Sequence, residues 1–581
     1  MRKERSLRLF LEIAAVLCAV SGIAYLSSRI FLRLDLSEQK QYSLSPVTRK
    51  VLDSFSGNIT IELYASGNLP PGNAAAARDA GDILREFKAY GKGKLQISFP
   101  NLSNERIKAN ACSLGISEVS LRGRGKDKVE LRKCLLGIVV YYNKKKETIP
   151  FFFDSRNIEY DLTRSILKVT RRDLPAVGIV LTDSSTTNPW TDVLDLDKKN
   201  SPFRHLDDSA AIDQSNAFKA KFKLLFDALK NDYRLSIIDL SKSNYIDTMY
   251  DAVIVPGGKR NTFTDRSLFA IDRFLVDGGN LIVLADAMAI DFAYFKAAEN
   301  QKTRMLDLLE FYGVRVDTTL VLDAMCGKVP LPVTGNYRAM PVPYPYYVMA
   351  TKINCSPDYP AVSNLSKLLF PWTSPCILLP ERAGEERGTK ADVLIKSSPK
   401  SWPAAKHRPL MLDPVLMEKI PPPEDLRESN LAVYISGRFR SYFAGKAIGE
   451  TTPGDSAGTT LHIAQSAHSP HASSAVRGGN LVVVGGSLFL TPNLGIASNK
   501  DFILNIVDWL ANRENSLIDL RSRTLTNRPL NLDMISRDGE KQWAVVRYAN
   551  IILMPALLAI FGAGILAKRR FAEGREMGAR K

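Results

Sequence analysis

No two cysteines of this chain stand at Cys-x-x-Cys spacing, and neither GxxxxGK[ST] nor GxGxxG occurs in it. The first absence removes the usual zinc and thioredoxin-type signals. The other two remove the glycine-rich loops that cradle nucleotide phosphates. Cysteine itself is sparse, 6 in 581 residues: Cys18 in an apolar run, then Cys112, Cys134, Cys326, Cys355 and Cys376. If the middle of the chain lies outside the cytoplasm, Cys112–Cys134 and Cys355–Cys376 are candidate disulfides, with buried free thiols as the alternative. A basic stripe interleaved with aromatics is also missing, despite a net charge of +17. Of that charge, +7 sits in the tails MRKERSLR and KRRFAEGREMGARK, each beside an apolar run. Binding to nucleic acid is therefore not expected.

Two apolar runs are present. LFLEIAAVLCAVSGIAYLSS covers residues 9–28, and as a helix of 20 residues it rises about 30 Å, the thickness of a bilayer core. ANIILMPALLAIFGAGILA covers residues 549–567, carries no charge and meets Lys568, Arg569 and Arg570. The basic flank precedes the first run and follows the second, so both predicted spans put their tails, 1–8 and 568–581, in the cytoplasm. The intervening 520 residues are then extracytoplasmic. The length of the first run favours a retained anchor over a cleaved signal peptide.

Between the runs the pattern is α/β. Ser45-Pro46 predicts a helix start, with serine as N-cap and proline at the first helical position. The strand NITIELYAS, the helix ARDAGDILREFKAYG and the strand KLQISFP follow, then the strands LLGIVVYYN and TIPFFF. Together they predict a small α/β domain over 38–153, with NIEYDLTRSILKVTRR as a helix leading out. From AVGIVLTD onward, strands alternate with helices. AFKAKFKLLFDALKNDY reads as one helix, and DRSLFAIDRFLVDGG as another closed by Gly278-Gly279. That alternation predicts a doubly wound, Rossmann-like (amidotransferase-like) α/β domain over 172–514, with a Pro-rich insertion at about 331–474.

Several fragments resemble chemistry without completing it. VPGGKRN, with Lys259, follows a strand but lacks the phosphate-loop spacing, so a tight strand–helix turn is expected. VVVGGSLF holds Ser487 but does not satisfy GxSxG, and Ser487 is expected to start a turn. His462, His468 and His471 fall in a Ser/Pro/Ala-rich loop that is costly to order around a metal. Asp195 and Asp197 open a calcium-loop spacing that Lys199 and Leu206 break. LIVLADAM offers no cysteine at the turn where an amidotransferase needs one. Catalytic, cofactor-binding and metal residues are accordingly all expected to be none, and the chain is not expected to be an enzyme.

Five segments in order, RLDLSEQKQYSLSPVTRKVL, NIEYDLTRSILKV, FLVDGGNLIVLAD, VLIKSSPKSW and NKDFILNIVDWLA, resemble the auxiliary-subunit family of ABC transporters whose named member is the gliding-motility protein GldG. The resemblance implies a two-span protein of the bacterial plasma membrane with a large extracytoplasmic domain. It also implies a separate ABC-2-type permease and a cytoplasmic ATPase as partners. At VLTDSSTTNPW the chain departs from the Gly-His-Glu-like loop of many relatives, which weakens any ligand role carried over to that loop. The alternative function is a membrane-anchored ligand-binding or sensor protein for a sugar or peptide; an anchored hydrolase is a third reading.

Overall fold

The structure, a computed structural model of the chain, describes residues 44–124, 129–155, 157–171, 174–182, 214–241, 245–257, 263–291, 296–300, 304–332, 339–404, 410–414, 422–446, 478–492, 494–511, 518 and 521. The two apolar runs, both tails, Lys259, the three loop histidines and Asp195/Asp197 lie outside the described residues. Among the described residues, no helix is long and apolar enough to cross a membrane.

The chain enters through the helix Pro46–Ser54. Ser45 caps it, its Oγ accepting from the Thr48 backbone N–H at 3.0 Å, and Pro46 takes the first turn, where its missing N–H costs nothing. Glu159, on the helix Ile158–Thr170, accepts from the Ser45 N–H at 2.7 Å and the Thr48 hydroxyl at 2.6 Å. The first and last helices of the small unit are thereby joined across more than a hundred residues. They pack with the helix Pro71–Tyr90 on a sheet in the order Leu95–Ser98, Ile59–Ala65, Val129–Tyr142, Glu118–Arg124. A fifth strand, Lys145–Ile149, pairs with Val129–Tyr142. The sequence placed that strand at TIPFFF, whereas it ends at Ile149 because Pro150 has no N–H to give a ladder.

The larger unit is built on a seven-stranded sheet. Its strands run in the order Thr389–Lys396, Asn430–Gly437, Gly479–Val484, Asn280–Leu284, Ala252–Pro256, Ala176–Val180, Arg234–Ile238. The last five are parallel to one another. Numbered by their appearance in the chain, these five stand 2-1-3-4-5. Side chains alternate across the sheet, so each strand supplies both faces. Ile254, Ile282 and Val482 meet the helices Lys223–Leu229 and Ala497–Leu510 on one side; Val253, Val283 and Val483 meet Asp265–Val276 and Arg304–Phe311 on the other. Burial on both faces explains why these strands read as unbroken apolar runs.

Two elements depart from the sequence reading. AFKAKFKLLFDALKNDY forms two helices, Gln214–Lys221 and Lys223–Leu229, parted at Phe222, whose ring is fully buried against Phe218. The stretch 331–474 is more than an appendage. Thr389–Lys396 and Asn430–Gly437 extend the main sheet by antiparallel pairing beside Gly479–Val484. Ala339–Thr351 and Lys367–Pro371 form a separate three-stranded sheet with Cys326–Pro332. The helix Asp265–Val276 is closed as its sequence indicates. Gly278 takes φ +93°, which a side chain disfavours, and Gly279 donates to the Phe274 carbonyl at 2.9 Å.

Candidate functional site

In open α/β sheets of this strand order, ligands settle beyond the carboxyl ends of the parallel strands. Among the described residues, the ends of two of these strands, Asn280–Leu284 and Gly479–Val484, are covered by the chain itself. Asp286, just past the strand Asn280–Leu284, accepts from the Ser487 backbone N–H at 2.7 Å and from its hydroxyl at 2.7 Å. Ser487 begins the short 3-10 turn Leu488–Leu490 and is fully buried. Gly257 closes against the same pair at φ +68°; a Cβ there would stand 2.5 Å from an Asp286 oxygen. Trp372–Ser374 lies across the end of Gly479–Val484, with the Ser374 N–H donating to the Gly485 carbonyl at 2.6 Å. Trp372 holds φ +47°, a costly conformation for a bulky side chain, and its indole N–H donates to the Tyr344 hydroxyl at 3.2 Å. The Thr373 hydroxyl is buried there without a hydrogen-bond partner.

This arrangement can clip strands together, and it leaves Ser487 donating straight into a carboxylate. Among the described residues no group of three His, Cys, Asp or Glu side chains is placed to hold a metal ion. The two cysteine pairings considered from the sequence are corrected: Cys112, Cys134, Cys326, Cys355 and Cys376 are all free. Burial pushes the Cys355 and Cys376 thiols up to about 12, so both are protonated and inert at neutral pH.

A second concentration of polar groups lies where the small unit meets the large one. Arg521, only 4% exposed, pairs with Asp508 at 2.8 Å, donates to Asn505, and reaches the Tyr160 hydroxyl at 3.1 Å. Tyr233 donates to the other oxygen of Asp508. Alongside, Arg164 of the helix Ile158–Thr170 pairs with Asp232 at 2.5 Å. Burial opposes the charge on Arg521, but Tyr160 and Asp508 beside it hold its pKa above the ordinary value. The cleft among these residues has about 20 Å³ of room, enough for one water and too little for a metabolite. Sequence reasoning missed Asp286 and Arg521. A lone aspartate after a strand and a lone arginine after a helix carry no local pattern.

Asp161, half-buried beside this junction, has its carboxyl raised by burial to about 6 from an ordinary 3.8; Arg164 lowers it and Asp232 raises it. A raised carboxylate favours the protonated folded state, so its contribution is full below the unfolded value and lost as pH climbs through 6. The gap corresponds to at most about 3 kcal/mol, and the exposed part of the side chain reduces this to ~1–2 kcal/mol. Asp161→Asn should therefore stabilise the protein by that amount at pH 7.5 and by little at pH 3.5. Urea midpoints at the two pH values check it; an equal shift at both would show that the charge plays no part.

Among the described residues, the junction and the Asp286–Ser487 clip are polar groups that tie the α/β scaffold together. A family model described as "ABC-type uncharacterized transport system" matches residues 177–506, and the chain belongs to this family of transport-system auxiliary proteins. Residues 38–141 match a second model, described as a domain of unknown function (DUF7088). An uncharacterized protein of Borreliella burgdorferi is 21% identical over 547 residues, covering 93% of this chain and 94% of that protein. Two solved structures are similar to parts of the chain. The "mmIFT52 N-terminal domain" is 10% identical at a TM-score of 0.29, covering 50% of this chain and 91% of that one. A putative ThuA-like protein from Bacteroides uniformis is 13% identical at 0.27, covering 58% and 93%. At such scores neither carries an argument about this chain.

Proposed function

We propose that this protein is a non-catalytic auxiliary subunit of an ABC-type transport system. It is anchored in the bacterial plasma membrane by residues 9–28 and 549–567, with its folded part outside the cytoplasm. It works with a separate ABC-2-type permease and a cytoplasmic ATPase. The observation that carries this reading is family membership across the larger unit. Among the described residues, the ends of the strands Asn280–Leu284 and Gly479–Val484 are tied down by Asp286, Ser487 and Trp372–Ser374, which accords with a structural use of that part of the sheet. Two spans line no pore by themselves, so an anchored domain of this size needs a polytopic partner to act in transport.

The second run carries Ala559, Gly562, Ala563 and Gly564, small residues that allow another helix to approach closely. The protein extracted in mild detergent should bring down a polytopic permease, and replacing Ala559 and Ala563 with leucine should reduce the recovered permease several-fold while the outer domain stays folded. A partner-free protein from native membranes, indifferent to both substitutions, would overturn the proposal.

A further inference from the structure

The strongest unassigned feature is the buried junction around Arg521. Three separate stretches of chain meet at one guanidinium, one of them carrying it. The helix Ala497–Leu510 supplies Asn505 and Asp508, the helix Ile158–Thr170 supplies Tyr160, and Arg521 itself comes from the chain beyond the larger unit's last helix. Tyr233, at the turn before the strand Arg234–Ile238, completes the set by donating to Asp508.

The contacts are uneven in a telling way. The small unit's helix reaches the larger unit's own charged groups through Arg164–Asp232, a partly exposed pair. Its buried polar tie, Tyr160, runs to Arg521, and Arg521 is anchored in turn on Asp508 and Asn505. The guanidinium also lies 5.2 Å from the centre of the Tyr160 ring, so the two units share one cation through both a hydrogen bond and a ring face. A planar fork with five donors can serve three acceptors at fixed angles, which a lysine cannot do.

We propose that Arg521 is an interlock, a key inserted from the C-terminal stretch that holds the small unit in one orientation on the larger one. With the key in place the two units move as one body. With it withdrawn, the partly exposed Arg164–Asp232 pair is the polar tie that remains among the described contacts of that helix, and the joint becomes a hinge. The inference concerns the chain's internal geometry and stands or falls separately from the transport partnership.

The test uses the full-length protein in nanodiscs with spin labels on unnatural residues at exposed positions 78 and 386, one in each unit. The unsubstituted protein should give a single narrow distance distribution. Arg521→Gln should at least double its width with the far-ultraviolet circular dichroism unchanged, and Tyr160→Phe, which removes one hydroxyl and keeps the ring, should widen it less. An unchanged width in Arg521→Gln, even with a lower melting temperature, would mean that Arg521 only stabilises its immediate surroundings and would overturn the proposal. Should Arg521→Gln fail to fold, Tyr160→Phe decides: a width equal to that of the unsubstituted protein overturns the interlock.

Discussion

Arg521→Met should lower stability by roughly 3–5 kcal/mol, the loss typical of removing one member of a buried ion pair. The substitution strips Asp508 of its guanidinium and leaves that carboxylate, 5% exposed, with the Tyr233 hydroxyl. It also leaves the Asn505 side-chain oxygen and the Tyr160 hydroxyl without the donor that now serves them. The unpaired buried charge dominates, because desolvation is expensive and the cleft beside Asp508 has room for about one water. The double substitution Arg521→Met, Asp508→Leu should recover most of the loss, since an apolar pair of similar volume has no charge to solvate. Thermal melts followed by circular dichroism check this, with a fall on the order of 10 °C expected for the single variant. Additive losses in the single and double variants would show that the two side chains do not act as a pair.

Gly485→Ala should cost ~2–4 kcal/mol, through overpacking and a broken hydrogen bond. A Cβ at this position would fall 1.8 Å from the Ser374 carbonyl oxygen and 3.1 Å from the Thr373 hydroxyl. The nearest obstacle is backbone, so no rotamer change relieves it. The segment Trp372–Ser374 would have to withdraw, breaking the Ser374–Gly485 bond at 2.6 Å and straining the Ser374 Oγ bond to the Thr319 carbonyl at 2.8 Å. Gly67 provides the control, since a Cβ there meets nothing within 4 Å and Gly67→Ala should stay within about 0.5 kcal/mol of the parent. Equal urea midpoints for the two variants would show that the close approach at Gly485 is not a constraint on folding. Loss of the Trp372 emission shift on unfolding in Gly485→Ala would locate the damage at the sheet edge.

The two clips differ in how far they could be read from the chain. Ser487 stood out because a glycine pair and a serine after an apolar run announce a turn, and a turn begins there. Its partner did not, because Asp286 is 201 residues away and the bond between them leaves no periodic trace. Arg521 was hidden for a similar reason: Asn505 and Asp508 lie 16 and 13 residues before it with no local motif, and Tyr160 lies 361 residues away. For the cysteines the sequence left two alternatives open, disulfides or free thiols, and the fold takes the free thiols.

What the sequence determined by itself was local. The cap at Ser45, the glycine closure after Val276, the apolar runs of the parallel strands and the helix at ARDAGDILREFKAYG each follow from neighbouring residues, since capping, positive φ and side-chain period act within a few positions, although that helix begins earlier, at Pro71. The break at Phe222 and the end of the strand at Ile149 lie at the boundary, where burial of one ring or the lack of one N–H overrode a pattern. Tertiary structure alone decided that Thr389–Lys396 and Asn430–Gly437 join the main sheet, that Trp372–Ser374 covers the end of Gly479–Val484, and that Arg521 binds two units together. Strand pairing and buried ion pairs are set by which groups meet after the chain has collapsed, and a buried charge or open strand edge accepts whichever complementary group the packing delivers to it.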